Sequence, residues 1–156
     1  MSRLSPGGIG GVRFGATKAA TVAELSRILG PPSRRFVSDA CGPRYTEVEW
    51  SDLYAEFRLN RFSGYRYMRA DWLPRGVVPV AGRSRTRPQL ATAKGISLDS
   101  TLQQVRARYG APRLIGTDRW QSRNGLVFYV SFTTPQPPAP SSRITEIKSS
   151  ETCGDF

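Results

Sequence analysis

The sequence predicts an α+β fold of two tandem repeats, each a short helix followed by an antiparallel β-meander. Three observations carry this. The stretch GISLDSTLQQVRARYGAP, Gly95 to Pro112, has an earlier counterpart ending in TVAELSRILGPP, Thr21 to Pro32: Thr21 matches Thr101, Leu25 matches Val105, Gly30 matches Gly110 and Pro32 matches Pro112. Each stretch is followed by segments in which apolar and polar residues alternate, the period of a half-buried strand. In each half a tryptophan, Trp50 or Trp120, closes a strand, and an aromatic strand opening on leucine follows. The repeats span 1–73 and 95–156, with 74–94 as their connection, and together make one compact module.

Taken in order, residues 1–10 are polar and glycine-rich and read as a flexible lead. Val12, Arg13 and Phe14 suit a short strand or a staple before the first helix. Thr17 or Thr21 can cap that helix, its hydroxyl accepting from a free amide of the first turn. Apolar residues recur at i, i+3 and i+7, so they share one face. Gly30 then supplies a left-handed stop, and Pro32 prevents continuation. The run SRRFVSDACGP reads as a loop around Cys41. Tyr45 to Trp50 and Leu53 to Asn60 alternate as two strands about a turn at Ser51-Asp52. A turn at Ser63-Gly64 leads to a third strand, Tyr65 to Trp72, with Met68, Ala70 and Trp72 inward and Tyr67, Arg69 and Asp71 outward. The connection is rich in Pro and Gly, carries Arg83, Arg85 and Arg87, and includes Val77 to Val80 as a segment able to pair. In the second half, Arg113 to Trp120 reads as a strand. Asn124-Gly125 is the strongest hairpin signal in the chain. Leu126 to Phe132 alternates, with Leu126, Phe128, Val130 and Phe132 inward; a proline-rich loop, Thr134 to Ser142, then leads to a last strand, Arg143 to Ser150.

The chain has 156 residues and a formal net charge of +11, with Arg dominating Lys, a bias that fits a GC-rich coding sequence and points only broadly to an anionic partner. It has no histidine, which excludes Ser-His-Asp and Cys-His catalysis and any histidine metal site. Its two cysteines, Cys41 and Cys153, form no CxxC. They read as one disulfide that ties the tail to the first half, the alternative being a lone reactive thiol. Closing so long a loop removes about 4–5 kcal/mol of unfolded-state entropy. A disulfide places the protein outside the reducing cytosol. No signal peptide or membrane span is visible, so that reading implies a leader already removed, against a plain cytosolic start.

The helix motif Gly-x-x-x-x-Thr, an amphipathic turn or two, then Gly-x-Pro is carried here by Gly95, Thr101, Gly110 and Pro112 and by Thr21, Gly30 and Pro32. It resembles a tandem-repeat family that includes the β-lactamase inhibitor protein and, as single repeats, the SmpA/BamE envelope lipoproteins. From about Leu4 to Cys153 the chain also resembles uncharacterised exported actinobacterial proteins, with LSPGGIGGVRFGA, WSDLYAEF and GISLDST as the shared stretches. The resemblance implies helices packed on one face of an antiparallel sheet and an open opposite face; its motifs define a fold, not an activity.

On that open face the alternation places Tyr45, Glu47, Glu49, Tyr54, Glu56, Arg58, Tyr67, Arg69, Asp71 and Tyr129. Tyrosine and arginine concentrate binding energy at protein interfaces, so Tyr45, Tyr54, Arg58, Tyr67, Arg69 and Tyr129 are the candidate protein-binding residues. An ordinary solvated face with Glu–Arg pairs is the plain alternative. Glu47 and Glu49, roughly 7 Å apart on one strand, fall within reach of an inverting glycosidase pair, but arginines beside them would keep both ionised. No catalytic residue, cofactor or metal is assigned. The function expected is non-catalytic binding to a secreted or envelope protein, inhibition of a secreted hydrolase being one form of it. The alternative is a basic module holding nucleic acid or anionic wall polymer through Arg83, Arg85 and Arg87.

Overall fold

The computed structural model of the protein describes residues 2–37, 45–69, 89–130 and 137–149. These form twelve strands and two helices: β1 (Arg3–Ser5), β2 (Gly8–Ile9), β3 (Val12–Arg13), α1 (Lys18–Leu29), β4 (Arg34–Val37), β5 (Tyr45–Trp50), β6 (Leu53–Arg58), β7 (Arg61–Met68), β8 (Ala91–Thr92), α2 (Leu102–Tyr109), β9 (Arg113–Leu114), β10 (Arg119–Gln121), β11 (Val127–Val130) and β12 (Ile144–Lys148). They pair as a four-stranded sheet, β3-β2-β1-β8, and an eight-stranded sheet, β4-β5-β6-β7-β12-β11-β10-β9.

This corrects the expected fold class. The described chain is mostly strand, in two sheets of four and eight, and is not a pair of helix-plus-meander repeats. Segments 3–9 and 34–37, read as lead and loop, are paired instead, and of the two readings of Val12 and Arg13 the short strand is the one present. Residues 3–13 fold back twice as tight antiparallel strands, and β1 adds a parallel pairing to β8. Segment 34–37 pairs with β5. The long strand expected over Arg113 to Trp120 is broken into β9 and β10, which pair with each other about a turn closed by Ile115 N–H donating to Arg119 O at 3.0 Å.

Both helices begin and end as their sequences require. Thr17 caps α1, its Oγ1 accepting from Ala20 N at 3.3 Å. Thr21, matched to Thr101 in sequence, lies inside the helix and donates its hydroxyl to Thr17 O at 2.9 Å. Thr101 and Gln104 form a reciprocal capping box on α2. Gly30 and Gly110, at φ 84° and 76°, stop the two helices. The Trp50 indole N–H donates to Gly30 O at 3.1 Å, fastening the end of α1 to the sheet.

One side of the large sheet carries the core. Val48, Trp50, Leu53, Phe57, Tyr65 and Phe128 pack in one cluster with Leu25 of α1, Leu102 and Val105 of α2, and Leu4 and Ile9 of the small sheet. Phe14 meets Phe62 edge to face at 5.0 Å, and the Tyr65 hydroxyl donates to Ser5 O at 2.9 Å. The small sheet is therefore part of the same buried mass.

The β6–β7 connection is also corrected. The turn is Leu59-Asn60, both left-handed at φ 50° and 58°, between paired Arg58 and Arg61. Ser63 and Gly64 lie within β7, where the register to β6 shifts between Glu56 and Phe57. That bulge inserts one residue and flips the alternation. Phe62 and Tyr65, three apart, both face the core, so Tyr67 follows them inward and pairs with Leu53 and Ile147. Met68 takes the opposite side, in register with Glu146.

Gly8 tests whether the amino-terminal strands are built structure. At φ 156° it packs so tightly that a Cβ would lie 2.0 Å from Val12 O. Gly8→Ala is expected to cost about 2 kcal/mol or more in chemical denaturation; a flexible lead would give no change.

Candidate functional site

The opposite side of the large sheet is where the sequence placed a binding surface. Its centre is Arg66, which the bulge in β7 turns away from the core. Arg66 Nη2 lies 2.6 Å from Glu47 Oε2, and Nε lies 3.1 Å from Glu56 Oε1. Its guanidinium covers the Tyr54 ring at 5.2 Å. The Tyr45 hydroxyl donates to the same Glu47 oxygen at 3.3 Å. Glu49, Tyr54, Arg66 and Lys148 are in register across four neighbouring strands. Further along, the Tyr129 ring sits between Lys148 Nζ at 4.8 Å and the Arg119 guanidinium at 5.8 Å.

Burial alone would lower the pKa of Arg66. Glu47 and Glu56, the hydrogen bond to Glu47 and the charge of Glu146 more than offset that, so its pKa ends above the ordinary arginine value. Burial, then the charges of Glu56 and Glu47, pushes the Tyr45 phenol well up. Burial, with a smaller contribution from Tyr109, does the same to Tyr65. The carboxylates at the centre are thus committed to an arginine, and the arrangement holds charge in place rather than presenting an acid–base pair.

The candidate residues fare unequally. Tyr45 and Tyr54 do lie on this side, but at 4% and 6% exposure they offer almost no surface. Tyr67 belongs to the core. Arg69 Nη1 pairs with Asp99 Oδ1 at 2.5 Å. Tyr129 is half-buried, and Arg58 is exposed at the end of β6. Cys41, Cys153, Arg83, Arg85, Arg87, Asp71, Val77 to Val80 and most of the connection lie outside the described residues. Sequence reasoning missed Arg66, because a strand starting at Tyr65 with Met68 inward puts Arg66 on that same inward side. The Gly64 inside a strand-like run was the available signal for a bulge.

The exterior is different. Among the described residues thirteen arginines and lysines are exposed, while all eight Asp and Glu residues are buried or half-buried as whole residues, the side chains of Glu24 and Asp99 being the more open at 38% and 41%. Of the half-buried ones, Glu24 is paired with Arg27 and Asp99 with Arg69. Two large apolar side chains stand out from the surface, Leu59 at 63% and Leu114 at 56% exposure, and neither is aromatic. Each has cationic neighbours: Arg58 and Arg61 flank Leu59 in sequence, and Arg106 shares a groove with Leu114. Beside Leu59 runs a second groove of about 750 Å³ between α1 and the β6–β7 turn. No described helix is long and apolar enough to cross a membrane.

No family model, curated protein or solved structure matches the chain. The likeness to the β-lactamase inhibitor protein and the SmpA/BamE lipoproteins rests on the motif residues alone.

Two outcomes follow for the paired side of the sheet. Arg66→Met strands two buried carboxylates and is expected to destabilise by about 2–3 kcal/mol, allowing for the partial exposure of the guanidinium; Glu56→Gln, which keeps a hydrogen-bond acceptor, costs less, and urea denaturation compares them. Tyr45 and Tyr65 keep their protons in the folded chain at alkaline pH, whereas the unfolded chain loses them near pH ~10. The stability tied to them is whole below that value and is lost as the pH rises further, so denaturation midpoints and tyrosinate absorbance should show two phenols ionising only with unfolding.

Proposed function

We propose that this protein is a non-catalytic binding module that engages an acidic partner protein through its cationic exterior. The observation that carries the reading is the division of charge: exposed groups are positive, and the described carboxylates are drawn inward or into pairs. Such an exterior steers an anionic partner and repels cationic ones. The absence of histidine from the sequence and the capture of Glu47 and Glu56 by Arg66 favour binding over hydrolysis. The tyrosine side of the sheet is not the surface proposed, because Tyr45 and Tyr54 are buried and Tyr67 faces the core.

A protein partner is preferred to single-stranded nucleic acid on a physical ground. Proteins that hold single strands stack bases on exposed aromatic rings, and the large apolar groups exposed among the described residues are leucines. Residence in the cell envelope or outside the cell belongs to the same reading and rests on Cys41 and Cys153 pairing. Binding of nucleic acid or wall polymer through Arg83, Arg85 and Arg87 is the competing outcome.

The test is crosslinking of the tagged chain in its source organism, alongside a variant carrying Arg13→Glu, Arg58→Glu, Arg106→Glu and Arg113→Glu. Expected is an acidic protein captured by the native chain, resistant to nuclease, released steeply by salt, and lost at least about tenfold in the variant at unchanged thermal stability. Crosslinks to nucleic acid or wall polymer alone, or equal capture by the variant, overturn the proposal.

A further inference from the structure

The groove beside α1 combines two features that rarely serve stability. Its apolar lining is Ala19, Val22 and Ala23 from the helix and Leu59 from the β6–β7 turn. Ala19 and Ala23, one helical turn apart, leave room for close approach. Three cations, Lys18, Arg35 and Arg61, line it as well. None of these three forms an ion pair with a described carboxylate. Arg61 donates to the Gly15 backbone carbonyl at 3.1 Å, and Lys18 Nζ lies over the Phe57 ring at 5.6 Å. Burial, then the charge of Arg35, lowers the Lys18 pKa.

Resting on the binding role proposed above, we propose that this groove docks an acidic segment of the partner protein, with one apolar side chain seated against Leu59, Val22 and Ala23 and its carboxylates met by Lys18, Arg35 and Arg61. A free small anion would use the cations and leave the apolar lining unexplained. A second copy of this chain is a poor occupant, because its own described surface presents cations to cations. Leu59 is the residue that points to an apolar contact. It is 63% exposed, and it occupies a left-handed turn position that Asn, Asp or Gly fills at less cost.

The probes are short synthetic peptides: glutamates around a central leucine, the same with serine for leucine, and the same with glutamine for glutamate. Each is titrated into the isotopically labelled full chain, with anisotropy for affinity and amide shifts for location. Expected is binding of the leucine–glutamate peptide with shifts at Ala19, Val22, Ala23 and Asn60, and binding about tenfold weaker for each control peptide. Leu59→Asn with Asn60→Gly should lose about tenfold in affinity at equal or higher melting temperature, as should Lys18→Glu with Arg35→Glu. Equal binding of the leucine and serine peptides, or shifts confined to another face, overturns the groove while leaving the cationic reading intact. If no acidic peptide binds at all, both fall.

Discussion

One inserted residue in β7 decides which side chains reach the core and which do not. A strand on strict alternation from Phe62 would send Arg66 and Met68 inward and Tyr65 and Tyr67 outward. The shift between Glu56 and Phe57 reverses that. Tyr65 becomes a fully buried side chain whose hydroxyl reaches Ser5 of the small sheet at 2.9 Å, tying the two sheets together. Arg66 becomes the cation between Glu47 and Glu56. Without the bulge a guanidinium would face an apolar cluster, a placement whose desolvation cost no neighbour there could offset.

The same event shapes the electrostatics of this side of the sheet. Glu47 and Glu56 face each other directly across β5 and β6, where like charges repel. Arg66 turns that repulsion into a three-membered network, and Lys148, in register with Arg66, adds a second cation to the same side. Carboxylates held in this way do little to neutralise the exterior. Among the described residues the outside is therefore more uniformly positive than their composition suggests. The charge asymmetry is a result of folding, and composition alone could not have located it.

What was legible in the sequence was local. The threonine cap at Thr101, the Gly30 and Gly110 stops and the strands around Ser51-Asp52 depend on a few neighbouring residues and could be read directly. Pairing partners depend on distant residues and could not. The amino-terminal residues look like a lead because each strand is only two or three residues long; their hydrogen bonds go to one another and to β8, nearly ninety positions away. The β6–β7 turn was misplaced because Ser63-Gly64 is the conventional turn dipeptide, whereas Leu59-Asn60 is not. Alternation named the right side for Tyr45 and Tyr54 but could not say how exposed they would be. Exposure is set by what packs around a strand, not by its period.

That unconventional turn is where stability and function separate. A leucine in the left-handed region costs roughly 1–2 kcal/mol relative to a residue suited to it. Leaving its side chain in water forgoes most of the roughly 1.5–3 kcal/mol that burial would return. Asn60, by contrast, tolerates its φ of 58° through its short polar side chain. Fold stability would therefore choose another residue at position 59 on two independent counts. The adjoining groove adds a third: its cations have no ion-pair partner among the described residues, on a molecule that supplies arginine pairs to its carboxylates elsewhere. Strain, exposed apolar surface and cations unpaired among the described residues coincide at one place; an acidic segment with an apolar anchor would relieve the last two, and the strain is the cost of holding Leu59 outward.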